Sequence, residues 1–235
     1  MTHAAADVLH ATYSPVSGAP AVRNARALAI MGVITAAAFV VGIVAVSMIP
    51  DQLNGGAFDK ALTEIATHRH AEVVAGWMFA IGLATLIPFI WLVVRSLSDA
   101  TRLPATIGAC LITAGATIDI AGSLLLVAVG HGLSPSFADP AVRAVAGAML
   151  HLSVALDSMY NLTLGAGLVM IGRSMRAGGA WPRWTANLAI VAGVLSLPVA
   201  LEWYSELAGA AQYASGTLLL AWVVGLAVAG MKRAA

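Results

Sequence analysis

Two aspartates stand inside long apolar stretches, Asp119 between Arg102 and His131 and Asp157 between Arg143 and Arg173. A charged carboxylate at the centre of a membrane costs about 2.5–3.5 kcal/mol on insertion scales. Acids retained there face a bundle interior or a water-filled path. They serve as proton or cation relays, or as hydrogen-bonding contacts that hold two helices together. Each such contact contributes only about 0.6–2 kcal/mol.

The surroundings of the two acids are patterned. Gly108, Gly115 and Gly122 recur every seven residues around Asp119. On a helix they share its face, and small residues let helix backbones approach closely. Ser153, Asp157, Tyr160 and Asn161 follow helical spacing on the next stretch. A short loop joins the two stretches, so the acids are expected on neighbouring helices at similar depth. No lysine or arginine occurs at that depth. Asp119, Asp157, Tyr160 and Asn161 are therefore the relay candidates.

A second set of chemically capable residues gathers at the ends of the apolar stretches. It comprises His68, His70, Glu72, His131, Glu202 and Glu206, with His151 about two turns inside its stretch. Imidazole and carboxylate ligands suit zinc, iron or copper. His68 and His70 point apart on a helix, as residues two apart do. His151 has no histidine or acid at helical spacing toward it. A metal would have to be held between helices by His70, Glu72, His131, His151 and Glu202. The sharpest version is haem ligated by His70 and His151, without an attachment motif. No cofactor follows from the sequence alone.

These residues need a scaffold, and the composition indicates one. Of 235 residues, 60% are hydrophobic and 10% charged, against roughly 25% charged in soluble domains. Most of the surface must face lipid. The net charge of +1 offers no clustered basic face for nucleic acid. The lone Cys110 excludes a disulfide framework and a CxxC motif. HExxH, GxSxG and nucleotide-loop motifs are absent from the sequence, which leans away from an enzyme.

A span needs about 20 mostly apolar residues. Six segments approach this, near 27–49, 72–94, 104–130, 144–172, 184–204 and 208–231. The expected fold is an all-α, polytopic transmembrane helical bundle of six spans. Residues 1–22 read as a polar cytoplasmic tail without a signal-peptide core, and 23–235 as one transmembrane domain. With six spans, Arg23, Arg26, Arg95, Arg102, Arg173, Arg176, Arg183, Lys232 and Arg233 share one side. Lys60, Arg69 and Arg143 share the other. The positive-inside rule puts the first set in the cytoplasm, with both termini. Trp91, Trp181 and Trp184 fall at the inner interface, and Trp203 and Tyr204 at the outer one, as an aromatic belt would. Trp77 and Trp222 read as packing residues.

The largest external loop is 51–70. After the turn signal Asn54-Gly55-Gly56, Phe58, Leu62 and Ile65 recur at helical spacing. A short amphipathic helix lying on the membrane is expected. Pro88 and Pro198 should kink or loosen the second and fifth spans.

Residues 174–197, SMRAGGAWPRWTANLAIVAGVLSL, resemble the start of the fifth span in a bacterial family of multi-pass membrane proteins known only as a domain of unknown function. DKALTEIATH resembles that family's external helix before its second span. The resemblance would cover most of residues 24–231. It implies a six-span integral membrane protein and carries over no catalytic residues. Arg183-Trp184 departs from the pattern, which more often has an apolar residue and Gly.

Three functions fit. The leading one is a small transporter or proton- or cation-coupled permease using Asp119 and Asp157. Another is a non-catalytic subunit that packs against a partner membrane protein or a second copy of itself. The third is a membrane-embedded redox or metal protein using the external histidines.

Overall fold

The computed structural model describes residues 19–49, 58–200 and 206–234. The turn Asn54-Gly55-Gly56 and the side chains of Glu202, Trp203, Tyr204 and Glu206 lie outside the described residues, as does most of the 1–22 tail.

The described residues are all helical or in short connections. They form α1 (Ala19–Ser47), α2 (Phe58–Thr67), α3 (Arg69–Arg95), α4 (Asp99–Val127), α5 (Pro140–Gly178), α6 (Arg183–Val199) and α7 (Glu206–Ala234). Between α4 and α5 the chain runs through a π-helical stretch, Ala128–Leu133, and a 3-10 turn, Ser134–Ser136. Local chemistry explains the ends of α5. Asp139 caps its start by accepting from the Ala141 amide at 2.8 Å, with Pro140 at the first helical position. Its end is stopped by Gly179 at φ 63°, the left-handed conformation that glycine adopts freely.

Every long helix packs on the next one in chain order, and α1 packs on α7, which closes a ring. Contacts of small residues show the directions. Gly42 lies against Phe79, Gly82 against Phe39 and Gly32 against Phe89, so α1 and α3 are antiparallel. Gly230 lies against Ala25 and Gly32 against Ala227, so α7 and α1 are antiparallel too. The glycine contacts of α4 with α5 and of α5 with α6 run the same way. A closed ring of antiparallel neighbours needs an even number of members. That requirement places α6 in the ring with α1, α3, α4, α5 and α7.

Among the described residues, five helices are long and apolar enough to cross a membrane, and α6 is shorter than these. Its 17 residues span about 26 Å at 1.5 Å per residue, against a hydrocarbon core of about 30 Å. Pro198 stands one residue before the end of α6, where it helps to end the helix rather than to kink it. Pro88, by contrast, lies inside the continuous α3.

The ring brings Arg23, Arg26, Arg95, Arg102, Arg173, Arg176, Arg183, Lys232 and Arg233 to one end and leaves Arg69 and Arg143 at the other. At the first end Arg233 lies over the Trp181 ring at 4.0 Å and donates to the Ala180 carbonyl. Trp181 in turn donates to Ser96 Oγ at 2.7 Å. Trp181, expected in a headgroup belt, is thus buried in protein. Trp77, expected to pack inside, is 48% exposed on the outer surface of the ring. Trp222 is buried as expected and meets Phe89 edge-on.

The core has two parts. The larger joins α1, α3, α4, α5, α6 and α7 around Leu86, Phe89, Ile112, Leu168 and Trp222. The smaller lies at the end away from the basic rim. It gathers Ala61, Leu62 and Ile65 of α2 with Val129, Ala146 and Leu150. The apolar face of α2, expected on lipid, is instead covered by the start of α5 and the π-helical stretch. Those elements extend beyond the shorter helices and offer it a protein surface.

Candidate functional site

The seam between α4 and α5 is closed by glycines. A Cβ built on Gly167 would stand 2.6 Å from the Gly108 carbonyl oxygen, and one on Gly108 2.7 Å from the Gly167 carbonyl oxygen. Backbone touches backbone there. Gly115 faces Thr163 and Tyr160, and Gly122 faces Ser153. The seven-residue glycine repeat of α4 is therefore its contact face with α5, and it carries Asp119 into that contact.

The structure brings the four relay candidates together. Asp119, Tyr160 and Asn161 are buried, and Asp157 is half-buried. Asn161 Nδ2 donates to Asp157 Oδ2 at 3.0 Å and to the Asp157 carbonyl at 3.0 Å. Asp119 and Asp157 interact electrostatically with each other, and Tyr160 interacts with both. Ser153 Oγ donates to the Gly122 carbonyl at 3.1 Å, which ties the helices one turn away. The Tyr160 hydroxyl is buried and has no hydrogen-bond partner. An unmade bond at a buried hydroxyl costs about 1–3 kcal/mol, so its presence beside two carboxyls is the least expected feature of the seam.

Depth can be measured from the basic rim. From Arg102 to Asp119 the axis of α4 climbs about 25 Å, and from Arg173 to Asp157 that of α5 climbs about 24 Å. The acids share a level, as their spacing suggests. The 39 residues of α5 run about 58 Å, and Asp157 lies close to the midpoint of that length.

The metal candidates stay apart. His70, His131 and His151 are exposed, whereas Glu72 is buried in the first turn of α3 beneath Gly130. His68 Nδ1 turns back to the Glu64 carbonyl at 3.2 Å. Among the described residues, no group of three or more His, Cys, Asp or Glu could hold a metal ion. Glu202 lies outside the described residues.

Sequence reasoning missed the contact made by Arg143. Its Nε reaches Asp59 Oδ1 at 3.3 Å, and Nη2 donates to the Asp59 carbonyl at 2.8 Å and to Thr63 Oγ1 at 3.1 Å. The available signal was one arginine between short loops, with an acid at the start of the amphipathic helix.

The helical architecture, with five long apolar helices among the described residues, defines the chain as a multi-helix protein suited to a membrane. No protein-family model, curated protein or solved structure matches it. The resemblance carried by residues 174–197 therefore assigns it to no family.

Proposed function

We propose that this protein is a six-span integral membrane protein with both termini in the cytoplasm, and that Asp119 and Asp157 carry a proton or cation in coupled transport of a small solute. One observation carries the reading. Two interacting acids and a buried, unpartnered tyrosine hydroxyl share one level of a glycine-packed seam. Intramembrane acids at such positions mark ion pathways. Purely structural contacts favour satisfied groups, and the Tyr160 hydroxyl is not one.

The six-span reading is supported by the even-membered ring and by the nine basic residues at one end. The positive-inside rule then points that end to the cytoplasm. Reporter fusions check this directly. A fusion after Ala235 should be active only as a cytoplasmic reporter, and one inserted at Ser136 only as an external reporter. Fusions reporting opposite sides for Ala235 and Arg26 would remove the even span count.

Transport is tested in liposomes. Purified protein should dissipate an imposed proton or cation gradient, and Asp119→Asn or Asp157→Asn should lower the rate by about a hundredfold or more, within the 10²–10⁴ that positioned proton-transfer groups contribute. Tyr160→Phe should lower it while leaving stability unchanged or improved, because it removes an unpartnered hydroxyl. Full flux in both Asn variants would leave the acids as contacts between helices.

A further inference from the structure

The polar layer lies between two unequal apolar seals. Along α4 the order is Ile112 and Ala116, then Asp119, Gly122 and Ser123, then Leu126. Along α5 it is Leu150, then Ser153, Asp157 and Asn161, then Leu164 and Leu168. Toward the basic rim, six helices and the Gly108–Gly167 backbone contact close the seam. Toward the far face, the closure is the small cluster that α2 completes with Ala61, Leu62 and Ile65.

We infer that α2 is a removable plug over the far end of the α4–α5 seam, held shut by Arg143, and that the acid layer exchanges with the far face when α2 lifts. A helix of ten residues is marginal alone and needs a surface to lie on. Two surfaces suit the same apolar face: the cluster it now covers, and the bilayer surface beside it. Both bury Leu62 and Ile65, so the hydrophobic contribution nearly cancels between them. What distinguishes the closed placement is the Arg143 clamp on Asp59 and Thr63. Asp59 is 91% exposed, so solvent screens the ion pair and it contributes little. The plug is therefore held lightly, whereas the opposite seal is backbone against backbone.

This inference rests on the relay reading for its purpose, but its test does not need transport. Cys110 is exposed, so the background is Cys110→Ser. Ser153→Cys and Ser123→Cys are separate probes of the polar layer, and Ile171→Cys probes the seal toward the basic rim. A membrane-impermeant thiol reagent is applied to each side of oriented vesicles. The polar-layer probes should label slowly, from the far side only. Arg143→Ala should speed that labelling about three- to fivefold, the factor an exposed ion pair allows. Ile171→Cys should stay unlabelled from both sides. Labelling that ignores Arg143→Ala at both polar-layer positions, or that arrives from the basic side, overturns the plug. If flux survives both Asp→Asn variants while labelling follows the clamp, the plug stands and the relay reading fails. Should Ser153→Cys not fold, Ser123→Cys carries the measurement.

Discussion

Gly167→Ala is expected to be among the most damaging single-methyl changes in the protein. The added Cβ would stand 2.5 Å from Ile112 Cγ1 and 2.6 Å from the Gly108 carbonyl oxygen. A flexible side-chain end could turn away, but a helix backbone cannot, so α4 and α5 must separate. Overpacking of a filled interior costs about 1–3 kcal/mol. Here the upper end applies, because the separation also loosens Gly115 and Gly122 along the same seam. Gly193→Ala should behave similarly at the α5–α6 seam, where its Cβ would meet the Gly165 carbonyl oxygen at 2.6 Å. Gly147→Ala is the control on the same helix as Gly167. Its Cβ meets only Leu62 Cδ1, at 3.8 Å. Alanine in place of a helical glycine then stabilises by up to about 1 kcal/mol. Unfolding of purified protein in detergent, followed by circular dichroism, separates the three. Equal stability of Gly167→Ala and Gly147→Ala would falsify the backbone-contact account of the seam.

The consequence reaches the acid layer. Asp119 and Asp157 are held at one level by α4–α5 packing. A seam opened by Gly167→Ala should therefore weaken their interaction without touching either residue. That coupling was partly readable from sequence. The spacing of Gly108, Gly115 and Gly122 marks one face of α4, and Ser153, Asp157 and Asn161 mark one face of α5. Pairing the two faces needed only a short loop between them. Gly165, Gly167, Gly172 and Gly193 were not pairable, because their contacts are set by the register of two helices, and register leaves no periodic trace in either one. The place of α2 was hidden for a related reason. Periodicity shows that Leu62 and Ile65 share a face, but lipid and protein cover such a face equally well. Trp77 and Trp222 show the same limit. Both are tryptophans in apolar stretches, and only the packing decides that one lies on the outer surface and the other in the core.

Trp222→Ala should rival Gly167→Ala by the opposite mechanism. Trp222 of α7 is fully buried and meets Phe89 of α3 at 5.8 Å between ring centroids, with the planes at 90°. These helices are not neighbours in the ring; both flank α1, so the two rings fill space inside it. Truncating a buried aromatic to alanine costs about 3–5 kcal/mol, and lipid cannot repair a cavity it does not reach. The indole N–H of Trp222, however, has no hydrogen-bond partner. Trp222→Phe keeps a ring against Phe89 and removes that donor. The smaller cavity destabilises at about 24 cal/mol per Å³, while losing an unsatisfied buried donor returns about 1–3 kcal/mol. The two nearly cancel, so Trp222→Phe should unfold close to the parent protein and Trp222→Ala far below it. If both variants lose the same stability, the indole N–H makes a bond worth as much as the ring's packing, and the centre of the bundle is held by polarity rather than by shape.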